Sequence, residues 1–135
     1  MQLKVRRSQK SSLSGKPIFI LDVVVGLDPD EHGLIDRYKL WNELVYSHAS
    51  ADSHAEAAQA GNVKALAALV ADRVLKKQLS IKNLVSGEHV ECKDLGELLA
   101  VEEQVRAACA NIKRYLAIAV SFDGREEVVE VSAAA

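Results

Sequence analysis

The sequence has 135 residues, of which 49% are hydrophobic and 27% are charged, and its formal net charge is -2. These proportions are typical of globular proteins and differ from the weakly hydrophobic, highly charged compositions of disordered chains. No apolar stretch approaches the roughly 18 residues of a membrane span, and the polar, basic residues 1–10 lack the apolar centre of a secretory signal. We therefore expect one cytoplasmic domain over residues 1–135 that does not contact a membrane.

The core is expected to be aliphatic, because aromatic residues make up only 4% of the chain. This composition also leaves few rings on which nucleic-acid bases could stack. Two cysteines, Cys92 and Cys109, are too few for a disulfide framework in a domain of this size. Both are expected to be reduced and buried.

The first part of the chain predicts two strands. Residues 3–6 alternate apolar and basic side chains, which is the period of a short strand. Residues 8–15 are polar and rich in serine, which favours a loop. Residues 18–25 are β-branched and nearly continuously apolar, as is typical of a central strand covered on both faces.

A helix is predicted from Asp28 to about Lys39, because Asp28 can cap it and Pro29 suits its first position. Residues 43–47 have the composition of a strand, with a longer helix running through Leu44 as the alternative.

The middle of the chain predicts a loop followed by a second helix. Residues 49–60 are rich in alanine, serine and aspartate and indicate no regular element. Apolar side chains then recur at helical spacing before the basic pair Lys76 and Lys77, which suits a helix end. This apolar stripe comprises Val63, Leu66, Ala67, Val70, Val74 and Leu75.

The last third predicts two short strands, a long helix and a final strand. Residues 79–81 and 89–93 alternate on either side of a turn at residues 86–87, and residues 127–131 predict a last strand. Asp94 and Glu97 have the spacing of a capping box, and the helix they begin continues to about Phe122. Its apolar stripe comprises Leu95, Leu98, Leu99, Val105, Ala108, Cys109, Ile112, Leu116 and Ala119.

This order of elements predicts an α+β fold. We expect a mixed, largely antiparallel sheet of about five to six short strands packed against three helices, the last of them long.

His89, Glu91 and Cys92 are close in sequence and combine good metal ligands with acid-base groups. In a strand, however, Cys92 faces the core with Val90, whereas His89 and Glu91 face solvent. We therefore predict no catalytic site at these residues.

The sequence also predicts no metal site and no cofactor. His48 and His54 flank an acidic loop that could bind a metal loosely, but the spacings of structural zinc sites are missing. Residues 14–16 lack the earlier glycine and the following Ser or Thr of a phosphate-binding loop. We find no dinucleotide, hydrolase or metalloprotease motif.

Five basic residues without an acidic neighbour lie in the first sixteen positions, and such a cluster can pair with phosphates. The alternative is that these charges line the solvent side of an edge strand and discourage aggregation. The candidate nucleic-acid-binding residues are Lys4, Arg6, Arg7, Lys10 and Lys16.

The predicted last helix is long for its domain: about 28 residues at 1.5 Å per residue give about 42 Å, against a diameter of about 36 Å for a compact chain of this length. Small side chains beside its apolar stripe allow a second helix to approach closely, so we expect a homo-oligomer or a protein partner at this helix. They are Ala100, Ala107, Ala110 and Ala117.

Residues 3–7, 16–21, 89–99 and 122–126 resemble uncharacterised small proteins of bacterial plasmids and integrative conjugative elements. The likeness covers most of the chain. It implies a bacterial cytoplasm and an accessory role in a mobile element, with no activity to assign to any residue.

Three functions follow from these patterns. The first is a non-enzymatic binding or structural accessory protein that self-associates and binds a protein partner through its long helix or an exposed sheet edge. The second is a nucleic-acid-binding accessory protein that uses the basic N-terminal segment, and the third is an enzyme or metal protein without a recognised motif.

Overall fold

The computed structural model describes residues 1–46, 61, 63–122 and 124–132, with only the backbone for residues 63–65. In these residues the fold is α+β with antiparallel sheets and a long last helix, as predicted. None of the helices described is both long and apolar enough to cross a membrane. In chain order the elements are β1 (Gln2–Ser11), β2 (Pro17–Gly26), α1 (Pro29–Arg37), β3 (Leu44–Tyr46), α2 (Val63–Leu75), β4 (Leu79–Ser80), α3 (Ile81–Ser86), β5 (Glu88–Cys92) and α4 (Leu95–Val120).

The main sheet has the strand order β1-β2-β5, and both of its pairs are antiparallel. The apolar β2 is its central strand, as predicted. Because side chains alternate along a strand, one face of β2 carries Leu21, Val23 and Val25 into the core. Val90 and Cys92 of β5 lie on the same face.

The hairpin between β1 and β2 is longer than the sequence predicts. β1 continues to Ser11, which pairs with Pro17, so residues 8–11 are strand rather than loop. A tight turn closes the hairpin, in which the Ser12 N–H donates to the Lys16 carbonyl at 2.8 Å. Gly15 adopts a φ of 80° there, which disfavours other residues.

The remaining strands form a separate two-stranded sheet of β3 and β4, instead of extending the main sheet. β3 confirms the strand expected near residues 43–47, and the alternative of a longer helix is wrong. Asn111 of α4 donates from Nδ2 to the Val45 carbonyl at 3.0 Å, which joins this small sheet to the long helix.

Helix α3 was not predicted from the sequence. The apolar residues that suggested a strand at 79–81 instead divide between β4 and the first turn of α3. Ser80 caps this helix: its Oγ accepts from the Asn83 N–H at 3.3 Å, and Asn83 Oδ1 accepts from the Ser80 N–H at 2.7 Å. Ile81 and Leu84 are then fully buried, so packing stabilises a helix of only six residues.

The long helix α4 begins as predicted, because Asp94 Oδ1 accepts the Glu97 N–H at 2.8 Å. It ends at Val120, two residues before the expected end. Val101, Val105 and Ile112 are among the buried side chains that this helix contributes to the core.

The final strand predicted at residues 127–131 is wrong for this structure, because residues 125–132 have no regular secondary structure. Val128 and Val131 are exposed there. A strand needs a neighbouring strand for its backbone groups, and a valine-rich segment alone does not provide one.

Some predictions lie outside the described residues. They are the loop over residues 49–60, the loose metal site at His48 and His54, and the last three residues of the chain.

Candidate binding surfaces

The open sheet face is the side of the main sheet opposite the core. It is formed by alternate side chains of the three strands, since neighbours along each strand point to opposite faces. Its residues are Lys4, Arg6, Ser8 and Lys10 of β1, Ile18, Ile20, Asp22 and Val24 of β2, and His89 and Glu91 of β5.

Ion pairs cross this face, one between the neighbouring strands β2 and β5 and one from β1 across β2 to β5. His89 Nδ1 lies 2.6 Å from Asp22 Oδ1, and Lys10 forms an ion pair with Glu91. The hydrogen bond and positive charge of Lys10 hold the pKa of Glu91 below its ordinary value. The charge of Lys10 is therefore matched by a carboxylate, which leaves Lys4 and Arg6 as the more available cations of this face.

A shallow groove of about 390 Å³ lies along the open sheet face. Lys4, Arg6 and His89 line it together with the apolar Val24. Asp22 also lines the groove and is the cross-strand neighbour of Arg6. The groove therefore offers a mixed surface, with positive charge along the β1 side.

The other two candidate basic residues lie elsewhere. Arg7 points to the core side of β1 and forms an ion pair with Glu102 of α4, whose second carboxylate oxygen lies 3.6 Å from Arg106. Lys16 lies in the turn between β1 and β2. The structure thus brings together Lys4, Arg6 and Lys10 of the five candidates and separates them from Arg7.

Strand geometry separates the nucleophile from the acid-base groups of β5, as predicted. Cys92 is 1% exposed on the core face, whereas His89 and Glu91 are exposed on the open sheet face. Burial, with smaller contributions from Glu97 and Asp94, raises the pKa of Cys92 to about 11. The thiol is therefore protonated near neutral pH and does not share a pocket with His89.

Cys109 is also a free, buried cysteine, on the core side of α4. Burial raises the pKa of its thiol. Among the side chains that the structure describes, no cluster of three or more His, Cys, Asp or Glu could hold a metal ion.

A second surface, the helix groove, lies between α2 and the first part of α4 and encloses about 410 Å³. Its apolar lining consists of Leu66, Ala67 and Val70 of α2 with Leu99 and Ala100 of α4. Both signs of charge line it as well, from Arg73, Lys93, Asp94, Glu97 and Glu103.

The helix groove contains large apolar side chains that are unusually exposed. Leu66 is 54% and Leu99 is 63% exposed, and Leu95, one turn before Leu99, is also exposed. The prediction that these three leucines lie on the buried stripes is wrong. Ala68, Ala71 and Leu75 form the buried side of α2 instead, because small side chains let α2 approach α4 closely.

The small residues expected to receive a second helix do not form one surface. Ala100 is buried in the core, whereas Ala107, Ala110 and Ala117 are exposed on α4. The exposed leucines are the stronger apolar feature, since they combine into a groove with α2. Sequence periodicity could not identify them, because the direction in which α4 faces depends on its neighbours.

Comparison of the chain with protein-family models, with curated protein sequences and with solved structures found no match. The functional interpretation therefore depends on these two surfaces.

Proposed function

We propose that the protein is a non-enzymatic binding module that associates with a second copy of itself through the helix groove. The exposure of Leu66 and Leu99, which line this groove, carries the proposal. Covering large apolar side chains removes them from water and is the main driving force of protein association.

Charge on the helix groove favours a second copy as the partner. The groove is lined by the cations Arg73 and Lys93 and by the anions Asp94, Glu97 and Glu103. In a two-fold dimer the same patch meets itself, so a patch that carries both signs can be complementary to its own copy. The resemblance noted above further supports an accessory role in a bacterial mobile element and a cytoplasmic location as parts of this proposal.

Light scattering over a range of concentrations tests self-association. We expect more than one chain per particle at high micromolar concentration and one chain for Leu99→Glu, since a carboxylate in the groove opposes apolar contact. Leu13→Glu is the matched control, because Leu13 is fully exposed in the turn between β1 and β2. A single chain for the unmodified protein at this concentration contradicts the proposal.

A second proposed function is binding of nucleic acid to the open sheet face, favoured by Lys4 and Arg6 beside the 390 Å³ groove. It ranks lower, because Asp22 and Glu91 place carboxylates on the same face and one of them neutralises Lys10. The number of available cations is then small, and affinity for phosphates depends on that number.

Arg6 and Arg7 provide a matched test of this second function, because they are neighbours of the same type on opposite faces. Binding of a labelled oligonucleotide is measured by fluorescence anisotropy at low and moderate salt. We expect Arg6→Gln to weaken binding and to reduce the salt slope by about 0.9, while Arg7→Gln leaves both unchanged. Equal effects of the two substitutions, or no binding at low salt, exclude this function.

A further inference from the structure

We propose that residues 126–131 of one copy pair as an additional strand with the outer edge of β1 in a second copy. This inference rests on the proposed self-association but uses a different surface from the helix groove. Each copy would provide one donor segment, residues 126–131, and one acceptor, the free edge of β1.

The donor segment has the composition of a β-strand, but its valines are exposed and it is not part of a sheet. Residues 126–131 consist of three glutamates and three valines, and they have no regular secondary structure. Val128, Val129 and Val131 are 89%, 67% and 90% exposed. β-branched side chains favour extended backbone, and pairing with a sheet would remove these valines from water.

The acceptor is an unusually long sheet edge. β1 has ten residues, and within the described part of the chain β2 is its neighbour on one side while its other side has none. Half of the backbone N–H and C=O groups of such an edge point away from the sheet and can pair with an extended segment. On its core side, Leu3 and Val5 are only partly buried.

The two faces of the donor match the two faces of β1. In an extended segment, Glu126, Val128 and Glu130 lie on one face, and Glu127, Val129 and Val131 lie on the other. With the second face turned toward the core side, Val129 and Val131 extend the apolar surface of Leu3 and Val5, and Glu127 lies at one end of that face. Glu126 and Glu130 then lie on the open sheet face, next to its basic side chains, with Val128 between them.

Those basic side chains are Lys4 and Arg6, the more available cations of the open sheet face. Opposite charges on neighbouring strands stabilise pairing, whereas like charges oppose it. The first sixteen residues contain five basic and no acidic residues, and positions 126–130 contain three glutamates. Charge therefore favours this donor over a basic or neutral segment.

We assign the donor to a second copy because the described residues of one chain leave both surfaces open. In the structure, the donor segment is exposed and the outer edge of β1 is unpaired by any described strand. Reciprocal exchange between two copies uses both donors and both acceptors and closes the assembly as a dimer.

Charge exchange tests the contact in the full-length protein. The double variants Lys4→Glu with Arg6→Glu, and Glu126→Lys with Glu130→Lys, are each expected to weaken self-association at least about tenfold. Combining all four substitutions should restore association to within about threefold, since opposite charges face each other again. The matched control Lys39→Glu with Lys82→Glu changes the net charge equally at exposed positions away from β1 and should have no effect.

The backbone of the donor provides a second test. Val129→Pro removes an N–H and should weaken association as strongly as charge reversal, whereas Val129→Thr keeps strand propensity and should weaken it little. Equal effects of proline and threonine contradict strand pairing.

Crosslinking establishes which copy supplies the donor. Unlabelled and ¹⁵N-labelled protein are mixed and treated with a carbodiimide, which should join Lys4 to Glu126 or Glu130. We expect crosslinked pairs in which one peptide is ¹⁵N-labelled and the other is unlabelled. Pairs with matching labels alone show that the segment docks on its own chain and overturn the proposal.

The experiments distinguish self-association through the helix groove from self-association through the strand contact. If Leu99→Glu abolishes association and the charge variants do not change it, the strand contact is wrong and the helix groove remains. The reverse result supports the strand contact and excludes the helix groove. A protein that is monomeric at every concentration excludes both.

Discussion

Leu98 and Leu99 are adjacent leucines on α4 with opposite environments, and they permit a direct test of how the helix is oriented. Leu98 is 4% exposed in the core, and Leu99 is 63% exposed beside the helix groove. Truncation of each side chain to alanine makes the same chemical change in the same helix. Differences in the free energy of unfolding therefore report burial alone.

The expected difference follows from the buried surface. Leu→Ala removes the equivalent of about three methylene groups, which at about 0.8 kcal/mol each gives about 2.4 kcal/mol for Leu98. The cavity left behind raises the expected loss to about 3 kcal/mol. For Leu99 most of the side chain is already in water, and alanine is the better helix former, so we expect a loss below about 0.5 kcal/mol.

Urea unfolding followed by circular dichroism at 222 nm measures both values. The protein is held at a concentration where light scattering shows one chain per particle, so that any loss of self-association does not enter the comparison. The slopes of the unfolding curves should agree between variants. Equal losses for the two variants, or a larger loss for Leu99→Ala, refute the assigned orientation of α4.

Three further predictions concern caps, thiols and charge. Asp94→Ala should lower the free energy of unfolding by about 1 kcal/mol in urea titrations, because it removes the side chain that accepts the Glu97 N–H at the start of α4. Asp94→Asn keeps an oxygen that can accept this N–H and should retain most of the stability. Cys92 and Cys109 should react with a thiol reagent at pH 8 only when the protein opens, because both are buried and a pKa of about 11 leaves few thiolates at Cys92; rapid modification of the folded protein would contradict their placement. Carboxyl NMR titration should show the pKa of Glu91 below its ordinary value, and in Lys10→Gln this pKa should return toward the ordinary value. The contribution of the Lys10–Glu91 pair to stability is therefore lost as the pH falls through the lowered pKa. An unchanged titration of Glu91 in the variant would exclude the pair in solution.

The sequence predicted the elements whose signals are local. The β-branched run of β2, the cap at Asp28 and the cap at Asp94 depend on neighbouring residues, and all three are present in the structure. The alternation of His89 and Cys92 between faces was predicted for the same reason. These features need no information about distant parts of the chain.

The wrong predictions concern elements whose structure depends on distant neighbours. Residues 8–11 lack strand alternation and are strand because β2 lies beside them, whereas residues 127–131 are rich in valine but have no adjacent strand among the described residues. Asn83 replaces the usual glutamate or glutamine of a capping box, so the start of α3 carried a weak signal.

Both candidate surfaces required the folded structure. Five basic residues in one segment indicated one patch, but β1 pairing places Arg7 and Arg6 on opposite faces. The apolar spacing of α4 is compatible with a stripe that includes Leu99 or one that excludes it. Contact with the alanine side of α2 determines which of the two stripes is buried, and the sequence of α4 alone does not predict that contact.

The pairing of β2 with β5 also affects the order in which the protein can form during synthesis. β1 and β2 are joined by a short turn and can pair as soon as both have left the ribosome, whereas β5 begins 62 positions after the end of β2. At about 5–20 residues per second, translation needs roughly 3–12 s to produce the partner of the second β2 edge. During that interval the most apolar strand of the protein has one edge available to other nascent chains.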